Sequence, residues 1–277
     1  TGGLGPGHVV FHREEQPMND LTGWMSLGLV LAMAATSAAQ PQSKRDPAAG
    51  RKEFKVTWLG HAAFEVVSPG GTRLLIDPFL TKNPATPEAF KDLARYKVDA
   101  ILVSHSHSDH SGDAVDIAKA NGAPVIGTFD YVSSLGLPEK QAMGGNVGGA
   151  FAIGDVKVHL VPAMHSSDPG GRPLGFVVAF ADGRTLYHTG DTWIFGDMAL
   201  VQELFHPSVI LLNVGGGPYT EDPKTAALAI RKYFNPEAIV PMHFATFPGL
   251  ATEAEVRAAF REDRRLQVLK PGETKAF

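Results

Sequence analysis

The stretch Ala100-Ile-Leu-Val-Ser-His-Ser-His-Ser-Asp-His-Ser-Gly112 opens on four apolar residues and then sets His105, His107, Asp109 and His110 within six positions. A short apolar run followed at once by Ser, His, Asp and Gly reads as a buried strand that ends in a loop and turns into a helix. In α/β proteins that junction is where chemistry gathers. Imidazole and carboxylate suit zinc and other first-row divalent ions. His105 and His107, two residues apart in extended backbone, point the same way. A histidine-rich turn can also be merely solvated, with Asp109 capping the helix behind it, but a group this dense points to a metal site.

Working outward, three further positions have the same local context. His165 follows the apolar run Val156-Lys-Val-His-Leu-Val161, Asp191 follows Arg184-Thr-Leu-Tyr187, and His243 follows Ala238-Ile-Val240. Each lies just past an expected strand, and Gly190 permits close backbone approach beside Asp191. Further strands are expected at Phe54–Leu59, Ala63–Val67, Arg73–Asp77, Val125–Ile126, Phe151–Ile153, Leu174–Phe180, Val209–Asn213 and Leu266–Leu269. Helical spacing or composition marks Pro87–Tyr96, Asp113–Ala120, Phe129–Leu135, Pro223–Phe234 and Thr252–Phe260. Two runs of strands, each followed by helices, predict an α/β protein of αββα layering: a sandwich of two mixed β-sheets flanked by helices.

These motifs, with Leu59-Gly-His-Ala62, Leu75-Ile-Asp-Pro-Phe-Leu-Thr81, Gly144-Gly-Asn-Val-Gly148, His188-Thr-Gly-Asp-Thr192 and Pro241-Met-His-Phe-Ala-Thr-Phe-Pro248, resemble the metallo-β-lactamase fold superfamily. Within it the chain is similar to bacterial metal-dependent hydrolases related to L-ascorbate-6-phosphate lactonase, over roughly residues 54 to 250. The resemblance implies one metal on His105, His107 and His165, a second on Asp109, His110 and His243, and Asp191 bridging them together with a hydroxide. It also implies that Asp109 shuttles a proton to the leaving group and that relatives self-associate, so a homo-oligomer is expected. The cofactors expected are two divalent ions, zinc first, with manganese and iron also compatible. The expected substrate is a small molecule, a lactone or carboxylic ester, and an anionic one given the residual positive charge of such a centre. The alternatives are a phosphodiester on the same fold and a non-catalytic metal-binding assembly protein.

Four other residues stand as candidates beside this set. His61 reads as a substrate or oxyanion contact or, equally, as a hydrogen-bonded turn histidine. Asp77 reads as a carboxylate that orients a ligand imidazole or that stabilises the turn before Pro78. Asn146 is a substrate contact or a left-handed turn residue, and Thr246, with Phe247, a lining residue of the pocket mouth. His188 reads as a buried neighbour of the ligands and His159 as a solvent-facing strand residue.

The whole chain bounds these expectations. Its 277 residues, 44% hydrophobic and 19% charged with 30 glycines and 20 prolines, suit an ordered domain of short, turn-linked elements. A net charge of −4 supplies no basic field, so nucleic acid is not indicated as a partner. The absence of cysteine excludes disulfides and thiolate ligands. Residues 51–277 are expected to form the domain, and residues 1–50 an N-terminal extension with an apolar segment. Within it, residues 21–39 read as an export signal, a packed extension or a membrane-surface anchor, which leaves cytoplasmic and periplasmic locations both open.

Overall fold

The computed structural model describes residues 52–168 and 170–277, so the apolar segment and the extension 1–50 lie outside the described residues. The first strands in chain order are β1 (Lys55–Gly60), β2 (Ala63–Val67), β3 (Arg73–Ile76), β4 (Ala100–Val103), β5 (Val125–Thr128) and β6 (Ala142–Gly145). They form one sheet in sequential order, antiparallel from β1 to β3 and parallel from β3 to β6. A second sheet takes β7 (Ala150–Ile153), β8 (Val156–Pro162), β9 (Leu174–Phe180), β10 (Thr185–His188), β11 (Val209–Asn213) and β12 (Ala238–Met242), with β10, β11 and β12 parallel. A last strand, β13 (Thr274–Ala276), returns antiparallel to β1 and makes the first sheet seven-stranded.

Alternation along the buried strands builds the layers. In β4, Ala100 and Leu102 join the core between the two sheets, whereas Ile101 and Val103 face the core beneath Ala114, Ile117 and Ala118. A strand covered on both faces needs apolar residues throughout, which is why the run before His105 does not alternate. Helices α1 (Ser108–Ser111), α2 (Ala114–Asn121) and α3 (Phe129–Ser134) follow β4 and β5, and α2 and α3 cover the first sheet. Helices α4 (Met198–Phe205), α5 (Pro223–Tyr233) and α6 (Glu253–Phe260) belong to the second half, where Met198, Ala226, Ile230 and Val256 join the main core. The architecture is therefore the αββα sandwich of two mixed sheets. Among the described residues no helix is long and apolar enough to cross a membrane.

Two expected elements differ. Pro87–Tyr96 is not one helix but two single 3-10 turns, Glu88–Phe90 and Leu93–Arg95. Asp92 divides them because its side chain accepts the Ala94 N–H at 3.0 Å, a local bond that competes with helix continuation. Leu266–Leu269 is not a strand: Leu266 makes only an isolated bridge to Ile239, and pairing resumes after Gly272 at Thr274. No expectation covers β6, whose glycines lack strand propensity, the 3-10 turn Glu139–Gln141, the helix α4 or the short β13.

Candidate metal centre

The parallel strands deliver the site. Asp77 follows β3, His105 and His107 follow β4, Asp191 follows β10, Asn213 ends β11 and His243 follows β12. His165 stands in the loop after β8, and His61 immediately follows β1. His107 is still extended, with φ −60° and ψ 142°, and caps α1, while His110 lies inside that helical turn. The chain thus changes from extended to helical between these two histidines, which lets one short segment contribute to more than one group of donor atoms.

Among the described residues the donor atoms gather into overlapping groups whose members lie within 4.8 Å of one another: His105, His107 and His165; His61, Asp109, His110 and His243; and His105, His110 and Asp191. Asp191 joins the halves through a single oxygen. Its Oδ2 lies 3.2 Å from His110 Nε2, 3.0 Å from His243 Nε2 and 3.7 Å from His165 Nε2. Its other oxygen accepts the Asn213 side-chain N–H at 3.0 Å. Asn213 is fixed in turn, its Oδ1 accepting from Gly215 N and Thr220 Oγ1 at 3.0 and 2.9 Å.

Asp77 is bonded to His110 directly and to His105 through Ser104. Its Oδ2 accepts the His110 Nδ1–H at 2.8 Å, which turns His110 Nε2 toward Asp191. Ser104 donates its hydroxyl to the same carboxylate at 2.7 Å, so its oxygen is left to accept the His105 Nδ1–H at 3.0 Å. His105 Nε2 then faces His107 Nδ1 at 2.9 Å. Buried His188 donates from Nε2 to Ala62 O at 3.0 Å and receives the Gly190 N–H on Nδ1, which pins the loop carrying Asp191. Asp77, His61 and His243 all adopt positive φ, at 46°, 54° and 66°, strained backbone held by the surrounding bonds. One of those bonds joins His243 N to His61 O at 3.0 Å.

Burial and opposed charges set the protonation. Burial alone works against the Asp191 charge, yet His110 and His243 together hold its carboxyl well below the usual range. Burial lowers His243, but Asp191 and Asp109 overcome it and push it up to about 9. Burial first, and then the charge on His110, push His105 well below its ordinary value, and burial with His243 takes His61 down to about 4. The carboxylates therefore demand positive charge at their centre, which protons supply when nothing else does; a cation taking that place releases them.

The remaining candidates lie around this centre. His61 is a hydrogen-bonded turn histidine, the second of its two readings: it is fully buried, outside the cavity lining, with Nε2 3.1 Å from Asp109 Oδ2. Asn146 is exposed at the start of the turn closed by Gly149 N to Asn146 O, at 2.9 Å; the left-handed residue of that turn is Gly148, and Asn146 is not part of the cavity lining. Thr246 is buried with its hydroxyl on Phe244 O at 3.3 Å, whereas its neighbour Phe247 lines the cavity. His159 is half-buried against Phe205, ring centroids 4.8 Å apart, rather than solvent-facing. Ser104 and Asn213 had no sequence signal, since a Ser before a histidine and an Asn at a strand end are common.

The model of the beta-lactamase superfamily domain matches residues 55–243, the span from β1 to His243. A UPF0173 metal-dependent hydrolase of Anaeromyxobacter sp. (strain K) is 48% identical over 247 residues, covering 83% of this chain and 89% of that protein. The chain belongs to the UPF0173 metal-dependent hydrolases of the beta-lactamase superfamily. A relative of the same name from Pyrobaculum arsenaticum is 43% identical over 227 residues, 79% of this chain and 98% of its own. The solved structure of a metallo hydrolase from Ignicoccus hospitalis superposes with a TM-score of 0.74 at 36% identity, covering 81% of this chain and 98% of that one. The protein is thus a metal-dependent hydrolase, and the histidine and aspartate cluster is its candidate metal site.

Proposed function

We propose that this hydrolase opens a lactone or other carboxylic ester at a centre of two divalent ions, zinc foremost, with manganese and iron also suited to an all nitrogen and oxygen donor set. One observation carries the dinuclear assignment: a single Asp191 oxygen faces imidazoles of both ligand groups. The residues fit such a centre. His110 Nε2 and His243 Nε2 are buried without a hydrogen bond of normal geometry, a costly state unless an ion takes their lone pairs. Seven donors also exceed the four that a structural site needs.

His105, His107 and His165 would hold one ion, Asp109, His110 and His243 the other, and Asp191 both. Ions bound there polarise the scissile carbonyl and lower the pKa of water at the site. The chain supplies the rest. Asp109, with a third of its side chain exposed (33%), is the carboxylate able to carry a proton from the attacking water to the leaving oxygen. His61 holds that carboxylate in place, and Asp77 keeps His105 and His110 in the tautomers that bind. Metal-replete protein assayed on lactones, carboxylic esters, cyclic nucleotides and phosphodiesters tests the assignment. Ester or lactone turnover lost on chelation and restored by metal is expected; phosphodiester turnover without ester turnover would overturn it.

A further inference from the structure

The cavity over the metal centre holds about 500 Å³ and has two unlike walls. One side is lined by His107, Asp109, His165, Asp191 and His243, together with Ser166. Its outer wall is Pro218, Tyr219, Phe247, Pro248 and Leu250, and none of the lining residues is Lys or Arg. Tyr219 is 64% exposed and Phe247 38%, aromatic surface left uncovered at the mouth of the cavity.

This wall is built in advance. Pro218 and Tyr219 come from the loop after β11, and Phe247, Pro248 and Leu250 from the loop after β12. Ala251 N donates to Gly215 O at 2.8 Å, which ties the two loops together, and Ala245 N donates to Ala251 O at 2.8 Å, which closes the second. Gly217 packs so near the Gly249 carbonyl that a Cβ would lie 2.7 Å from it, so the loops touch backbone to backbone. Phe247 is braced edge-on against His61, ring centroids 5.5 Å apart, and tilted against Phe79 at 6.2 Å.

We propose, resting on the ester assignment above, that the substrate is not the anionic one expected from the charge of the centre but an uncharged ester or lactone with an apolar alkyl or aryl substituent that lies on the Tyr219 and Phe247 wall. The positive charge of the metal centre serves the reacting carbonyl only. A carboxylate or phosphate elsewhere on the substrate would leave water for an apolar surface without a cationic partner, a costly transfer. At about 30 Å³ per water-sized group the cavity of about 500 Å³ admits roughly seventeen such groups, enough for a lactone ring with a medium alkyl chain. In the reaction, water oxygen bonds to the acyl carbon and the acyl C–O bond breaks. One water proton passes to the leaving alkoxide, and the other is released from the carboxylic acid.

Calorimetric binding of n-alkyl hydroxamates of increasing length to the metal-replete protein reads the wall apart from turnover. Affinity is expected to rise about two- to fourfold per methylene over the first several carbons. A terminal carboxylate or phosphonate should lower it by about tenfold or more. In the folded double variant Tyr219→Ala, Phe247→Ala the ratio of long-chain to short-chain affinity should fall about tenfold. Affinity independent of chain length, or tighter binding of the anionic-tailed probes, would overturn the proposal. Chain-length-dependent binding without turnover of any ester or lactone would support the apolar wall and overturn only the ester assignment.

Discussion

Glu221 offers a test of the site's supporting layer in which both sign and size are worked out. Its side chain is 1% exposed, and neither carboxyl oxygen makes a hydrogen bond of normal geometry. Its backbone is pinned behind the site, with N donating to Thr192 O at 3.3 Å and O accepting from Gly216 N at 2.9 Å. Burial, then the Asp222 charge, push its carboxyl up to about 8 from 4.5, against a small opposing pull from the Ile194 N–H. Buried Tyr187, whose hydroxyl is also unpartnered, has its ionisation raised by burial and by Glu221. Between pH 4.5 and 8 the unfolded chain has lost the Glu221 proton while the folded one keeps it, so stability falls as pH rises. At about 1.4 kcal/mol per unit, the loss across that window is about 3 to 5 kcal/mol. Glu221→Gln cannot ionise and should remove that slope, at a cost of about 1 to 2 kcal/mol near pH 5 for its unpaired amide. Urea unfolding of metal-replete wild type and variant from pH 5 to 8.5 should therefore cross, with the variant less stable in acid and more stable in mild alkali. A stability difference that does not change with pH would refute the reasoning.

Other consequences follow from the same geometry. Asp77→Asn should weaken metal binding about ten- to hundredfold in chelator competition, because His110 loses its carboxylate partner; unchanged affinity would show that the Asp77 bonds do not matter to the ligands. Asn213→Ala frees one Asp191 oxygen and should lower kcat/KM about tenfold with less than about 2 kcal/mol lost in urea melts; equal kcat/KM would contradict a positioning role. Gly190→Ala places a Cβ against Leu174 O and Ser104 at a φ of +61°, and should cost more than about 2 kcal/mol. A loss below about 0.5 kcal/mol would mean the loop carrying Asp191 gives way easily.

Residue type decides what is legible in the sequence. His105, His107, Asp109 and His110 announce themselves because four donors in one short segment are rare, and His165, Asp191 and His243 because each follows an apolar run. The sandwich was legible for a related reason, since two-sided burial writes continuous apolar strands such as Ala100–Val103. What failed was set by single side chains or by distant contacts. Asp92 splits an expected helix through its own side chain, and β13 pairs with a strand more than two hundred residues away. Asn213, Ser104 and Glu221 are ordinary residues in ordinary contexts; only the fold bonds Asn213 to Asp191 and Ser104 to His105, and buries Glu221 beside Tyr187. The apolar wall likewise exists only because two loops from adjacent parallel strands are bonded to each other.

The central claim is that one Asp191 oxygen serves two ions. Elemental analysis of protein purified without metal supplementation, with activity followed as metal is returned to the chelated protein, tests it most directly. Two ions per chain at full activity are expected, with both ions and turnover lost in Asp191→Ala. Full activity at one ion per chain, or an Asp191→Ala variant that keeps two ions and turns over, would contradict it.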